Sequence, residues 1–243
     1  MTGVACVIPA KDESARIAST VRAASQIPGV DLVVVVDDGS SDDTASLAKR
    51  CGATVVRHPR NQGKAAAMQT GAVRVAALDD PDAAPRHLLF LDADLEDTAA
   101  EAAPLTRPII DRVADMSIGV LPVQRSPGGG RGRVVRLAQQ GIAAATGWQT
   151  TQPLSGQRCL TRAAFDAALP LANGWGVEVG LTIDVLRKGF RLIEVDLPFH
   201  HRVTGTDWRA RMHRGRQLAD VLRALAARGV RPDLRSLRGR RSP

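Results

Sequence analysis

Uninterrupted apolar runs alternate with amphipathic segments along the first hundred residues. Val4 to Pro9 is apolar throughout and predicts a strand. Ser14 to Gln26 places Ile17, Val21 and Ala24 on one helical face. Asp31 to Asp37 holds four consecutive valines, the pattern of a strand buried on both sides. Asp43 to Cys51 predicts a second helix, with Ser40, Ser41 or Asp42 available as its N-cap. Ala53 to Arg57 predicts a strand, Gly63 to Ala77 a helix and His87 to Asp92 another strand. This βαβαβαβ rhythm predicts an α/β fold: a mostly parallel central sheet flanked by helices on both faces.

Beyond Asp94 the rhythm loosens. Thr98 to Asp111 reads as helical and Asp115 to Val123 as extended. The glycine-rich stretch Ser126 to Gly132 cannot hold regular structure and predicts a loop. Helices are expected over Arg133 to Ala145, Val177 to Lys188 and Trp208 to Arg228, and strands over Gln157 to Leu160 and Phe190 to Leu197. Residues 231–243 read as a frayed basic tail. No internal repeat is evident, so residues 1–230 are expected to form a single domain.

Composition narrows the class. The 243 residues suffice for a full core, and 44% hydrophobic with 24% charged content is ordinary for a globular chain. No apolar run is long enough to span a bilayer, and the first residues carry no signal-like segment, so a cytoplasmic location is the expectation. Cys6, Cys51 and Cys159 are too scattered for a disulfide framework or a zinc site. The net charge of +8 is concentrated in arginines from Arg125 to Arg136 and from Arg202 to Arg241. Nucleic acid is not the expected partner, because 3% aromatics and no tyrosine leave few stacking platforms. A phosphorylated substrate or an anionic membrane surface explains the charge more economically.

The chemistry lies where strands end. Asp92-Ala93-Asp94 follows the apolar run His87 to Leu91. Two carboxylates so placed can hold one Mg²⁺ or Mn²⁺ together with the phosphates of a nucleotide. Three further clusters sit at the same predicted edge: Pro9 to Glu13, Asp37 to Thr44, and Arg60 to Lys64. A lysine at a helix start opposes the helix dipole unless an anion visits, which makes Gly63-Lys64 a phosphate candidate. The spacing is not that of a P-loop, and no G-x-G-x-x-G follows the first strand.

Taken in order, Val7 to Glu13, Val36 to Ser40 with Asp42 and Thr44, Gly63-Lys64 and Leu91 to Asp94 resemble the family-2 glycosyltransferases of GT-A fold. The resemblance implies that Pro9, Ala10, Glu13, Asp38, Gly63, Lys64, Asp92 and Ala93 bind a nucleotide-sugar donor. It implies that Asp94 ligates Mg²⁺ or Mn²⁺. It also divides the domain into a donor half, 1–95, and an acceptor half, 96–230.

Pro153 to Arg158, Gly174 to Gly180, His201-Arg202 and the glycine-arginine stretch Gly128 to Val134 are similar to glucosyl-3-phosphoglycerate synthases. That similarity implies UDP-glucose as donor and a phosphate-bearing acceptor held by Arg133, Val134, Ser155, Gly156 and Gln157. It places Glu178 at the reaction centre, beside Asp94, and His201 in the metal shell, with His200 as the competing ligand. Val135 departs from the synthase pattern, and Arg202 to Gly205 with the basic helix is more similar to polyprenyl-phosphate sugar transferases such as dolichol-phosphate mannose synthase. Two surfaces stay open for 208–228: core or homodimer packing, and peripheral contact with the inner face of a membrane. Outside the family, a nucleotidyltransferase and a non-catalytic basic binding module are the alternatives.

Overall fold

The computed structural model describes residues 2–122, 132–198 and 208–230, with the backbone alone over 208–215. Its strands are β1 (Val4–Ala10), β2 (Val30–Asp37), β3 (Thr54–Arg57), β4 (His87–Phe90), β5 (Met116–Val120), β6 (Arg158–Leu160) and β7 (Leu192–Asp196). Its helices are α1 (Ile17–Ala24), α2 (Thr44–Arg50), α3 (Lys64–Ala76), α4 (Arg107–Ile110), α5 (Arg133–Thr146), α6 (Arg162–Ala167), α7 (Val177–Arg187) and α8 (Trp208–Ala226).

Among the described residues one seven-stranded sheet runs β3-β2-β1-β4-β6-β5-β7. Every neighbouring pair is parallel except those of β6, which lies antiparallel to β4 and to β5. The expected α/β architecture is therefore present. Period-two alternation divides β1 between two cores. Val4, Cys6 and Ile8 join Ile17 and Val21 of α1, whereas Ala5 and Val7 join Met68 of α3 and Leu181 of α7. Burial pushes the Cys6 and Cys159 thiols up, so both behave as small core hydrophobes.

Register sets the functional edge. Ala10 pairs with Asp37, so β1 and β2 end level. β4 leaves its ladder at Phe90, opposite Val7, and sends Asp92 to Asp94 over the same rim.

Three expectations changed. The helix expected over Thr98 to Asp111 is a 3₁₀ segment, Glu96–Leu105, followed by the single turn of α4. Pro104 and Pro108 lack the N–H donors that a continuous α-helix requires. α6 was not foreseen; Thr161 caps it by accepting a hydrogen bond from the Ala164 N–H at 3.1 Å. The first helix is shorter than expected, Ile17–Ala24. The glycine-rich stretch up to residue 131 and the tail 231–243 lie outside the described residues.

α8 settles where its leucines go. Leu218, Leu222 and Leu225 pack with Leu137 and Ile142 of α5 and Ile183 of α7 in a third cluster. Among the described residues no helix is long and apolar enough to cross a membrane.

Candidate active site

The rim where β1, β2 and β4 end, the loop before α3 and the start of α7 surround a cavity of about 640 Å³. Pro9, Ala10, Glu13, Asp38, Gly63, Lys64, Asp92, Ala93, Asp94 and Glu178 all line it. Residues chosen from separate stretches of sequence thus meet in one place, as ligand sites at the carboxyl edge of open sheets do.

Asp38 is a hub beneath the cavity wall. Its Oδ1 accepts from the Gln62 N–H at 2.7 Å and its Oδ2 from the Gly63 N–H at 2.8 Å. His58 Nδ1 lies 2.8 Å from Oδ1, and His58 Nε2 lies 2.9 Å from Thr70 Oγ1. Asp38 therefore shapes the loop that presents Gly63 and Lys64. Gly39 has φ 73°, and a Cβ there would meet the Arg60 carbonyl carbon at 2.6 Å, so only glycine fits. The Asp42 carboxylate accepts from the Ser14 N–H, the Thr44 N–H and the Thr44 hydroxyl, fastening α2 to the turn after β1. Partial burial opposes its charge, but these hydrogen bonds outweigh burial and hold the carboxyl well below its usual range.

Lys64, the first residue of α3, has partners that its sequence position does not reveal. Its Nζ lies 2.8 Å from Asp92 Oδ1 and 2.9 Å from Glu178 Oε1. Burial works against its charge, yet the Asp92 and Glu178 carboxylates outweigh burial and hold the ammonium above its ordinary value. Gln157 donates from Nε2 to the other Asp92 oxygen at 2.8 Å. A Cβ on Gly156 would lie 2.7 Å from both Asp92 oxygens and from Lys64 Nζ, so glycine is what permits this close approach.

Glu178 stands in the first turn of α7, where the helix dipole favours an acid. It is only 5% exposed. The fully buried Arg158 ties that turn to the preceding loop: it donates to the carbonyls of Glu178, Ser155 and Pro153 and to the Thr182 hydroxyl. Desolvation lowers Arg158 to about 10, with Glu178 and Glu194 acting in the opposite direction. Glu194 of β7 organises the same loop by accepting from the Thr150 and Thr151 hydroxyls and the Thr151 N–H. Trp175 lines the cavity beside Leu154, and its N–H donates to Asp220 of α8 at 3.2 Å.

Asp94 is 44% exposed at the side chain, and Arg16 Nη1 stands 3.9 Å away. Arg16 in turn grips Glu13, whose carboxyl is raised, chiefly by burial. Among the described residues no group of three or more His, Cys, Asp or Glu side chains converges to hold a metal ion. An exposed carboxylate nevertheless suits Mg²⁺ or Mn²⁺, which typically take one or two carboxylates and complete their shell with phosphates and water.

Not every expected residue reaches the cavity. Arg133 stands exposed at the start of α5, and the partly buried Val134 side chain packs against the third hydrophobic cluster. Ser155 and Gln157 are buried behind the wall, where Gln157 orients Asp92. Ser155 in turn donates from Oγ to Gln157 Oε1 at 3.3 Å. His200 and His201 lie outside the described residues. His58, Thr70 and Glu194 act across the fold and belong to no local motif. Arg158 and Trp175 lie within the Pro153 to Arg158 and Gly174 to Gly180 motifs, which are the visible signal for them.

The family described as Glycosyl transferase family 2 matches residues 5–168. Glycosyltransferase AglJ of Haloferax volcanii is 28% identical over 183 residues, 72% of this chain and 56% of that protein. The glucosyl-3-phosphoglycerate synthase of Mycobacterium tuberculosis is 30% identical over 213 residues, 76% of this chain and 61% of that protein. The chain thus spans less than two thirds of either relative. A crystal structure of the M. tuberculosis synthase with Mn²⁺, uridine diphosphate and phosphoglyceric acid is similar at TM-score 0.74 and 27% identity, covering 96% of this chain and 80% of that one.

Proposed function

The chain belongs to glycosyl transferase family 2, and from that premise we propose that it moves glucose from UDP-glucose to a small phosphate-bearing acceptor such as 3-phosphoglycerate. The observation that carries this reading is Lys64, whose ammonium joins Asp92 on the donor side to Glu178 on the far wall of the same cavity. The likeness to a synthase holding Mn²⁺, uridine diphosphate and phosphoglyceric acid supports it.

In this reading Glu13, Asp38 and the Gly63-Lys64 turn receive the nucleotide, and Asp94 with His201 holds Mg²⁺ or Mn²⁺. The bound cation supplies positive charge against a diphosphate that becomes more negative as the sugar bond breaks. Lys64 adds a fixed ammonium beside the same bond and needs no proton exchange to do so. Glu178 accepts a hydrogen bond from the attacking hydroxyl and orients it. Trp175 and Leu154 shape the wall against which the acceptor rests. The inward packing of Leu218, Leu222 and Leu225 assigns these three leucines to the core and not to a membrane-facing stripe.

Calorimetric titration with UDP-glucose and with GDP-mannose, each with and without Mn²⁺, tests the donor. Metal-dependent binding of UDP-glucose is expected. A preference for GDP-mannose would overturn the assignment.

A further inference from the structure

Asp94 is exposed between two buried neighbours in the turn that follows β4. Ala93 is 6% exposed and Leu95 3%, against 44% for the Asp94 side chain. The turn enters the left-handed region at Glu96, φ 52°, a conformation that is unfavourable for a residue with a Cβ. Such a turn needs outside support to persist.

One side chain brackets it. Thr20 of α1 is fully buried. Its hydroxyl accepts from the Glu96 N–H at 2.9 Å and donates to the Ala93 carbonyl at 2.9 Å. The competing acceptor for its proton, the Arg16 carbonyl one turn back, is farther, at 3.2 Å. A single oxygen thus joins the backbone on both sides of Asp94. The same helix follows Glu13 and Arg16, and Arg16 stands between the Glu13 and Asp94 carboxylates. α1 therefore fixes the aim of both acids at once.

We propose that Thr20 is a positioning residue of the transfer reaction, whose hydroxyl fixes the Ala93–Glu96 turn so that Asp94 is presented to the divalent cation and diphosphate of the donor. The inference rests on the donor-site reading of Asp94. A purely space-filling role makes a different prediction, because valine has nearly the same shape as threonine and lacks only the hydroxyl.

The test compares Thr20→Val, Thr20→Ser and the parent chain, with Ser117→Ala as a control. Ser117 is another buried hydroxyl, donating to the Leu105 carbonyl at 2.7 Å, away from the cavity. Mn²⁺ binding in the presence of UDP is followed by electron paramagnetic resonance, UDP binding without metal by calorimetry, and turnover as kcat and Mn²⁺ KM. Thr20→Val is expected to weaken Mn²⁺ binding ~10-fold, the scale of one to two net hydrogen bonds. It should raise the Mn²⁺ KM in proportion and leave metal-free UDP binding unchanged. Thr20→Ser restores the parent values. Should Thr20→Val fail to fold, Thr20→Cys, a weaker donor, gives a graded version of the same loss. A Thr20→Val protein that binds Mn²⁺ as the parent does, or no more weakly than Ser117→Ala, overturns the Thr20 assignment alone. Absence of Mn²⁺-dependent UDP binding in the parent overturns the donor-site reading with it.

Discussion

The Lys64 ammonium lies 2.9 Å from the Glu178 carboxylate, joining the start of α3 to the start of α7 across the cavity. Asp92 holds the other side of the same ammonium at 2.8 Å. The pair explains why a lysine tolerates a helix N-terminus: two acids supply the negative charge that the dipole calls for.

Replacing Lys64 by methionine removes the ammonium that lies 2.9 Å from the buried Glu178 carboxylate. A fall in kcat of about 10²–10³-fold is expected, the scale for losing one charge-stabilising donor. The melting temperature should fall too, because removing one partner of a buried ion pair destabilises. Steady-state kinetics and thermal melts check both; a kcat within about threefold of the parent contradicts the assigned role.

The pH dependence of stability has two windows of opposite sign. Lys64 is held above its ordinary 10.5, so its stabilisation is complete below 10.5 and is lost only as pH rises beyond it. Asp42 is held below its ordinary 3.8, so its stabilisation is present above 3.8 and is lost as pH falls further. Asp42→Asn should therefore melt lower than the parent at neutral pH, with the gap closing in acid below 3.8. Lys64→Met should show a gap that is constant through neutral pH and closes in strong alkali. Melting curves across pH would contradict this if the Asp42 gap widened in acid.

Gly156→Ala separates function from fold. The nearest atoms to a new Cβ are the ends of two side chains, Asp92 and Lys64, which can shift without unfolding the protein. Nucleotide affinity and kcat/KM should drop at least ~10-fold, as expected when a site is displaced by an ångström. The fold by circular dichroism should stay intact. An alanine variant of full activity would show that the Asp92–Lys64 approach is not needed.

Asp94→Asn should abolish the response to Mn²⁺ while changing stability by no more than about 0.5 kcal/mol, because the side chain is exposed and its ion pair with Arg16 is long, at 3.9 Å. Chemical denaturation together with a metal titration of turnover measures both. Retention of full metal-dependent turnover would exclude Asp94 as the ligand.

What was legible in the sequence was what repeats locally. The valine run of β2 and the apolar stretches before Pro9 and Asp92 gave strands because burial writes itself as uninterrupted hydrophobicity. Glu13, Asp38, Lys64 and Asp94 were visible because they follow such strands or open a helix. Thr20, His58 and Glu194 were not, since each finds its partner only after the sheet is assembled, and the same holds for the Gln157 bond to Asp92, though Gln157 itself was named. Val134 shows the converse: a position in a suggestive motif whose side chain is recruited by a hydrophobic cluster. The broken helix at Pro104 shows a propensity signal overridden by backbone chemistry.

The most direct measurement of the central claim is transfer of labelled glucose from UDP-glucose to 3-phosphoglycerate, with and without Mn²⁺, and with Glu178→Gln beside the parent. Metal-dependent formation of a glucosylated phosphoglycerate, reduced at least ~10²-fold by Glu178→Gln, is the predicted result. Binding of UDP-glucose with no transfer to 3-phosphoglycerate or to any other small phosphate-bearing acceptor would contradict it.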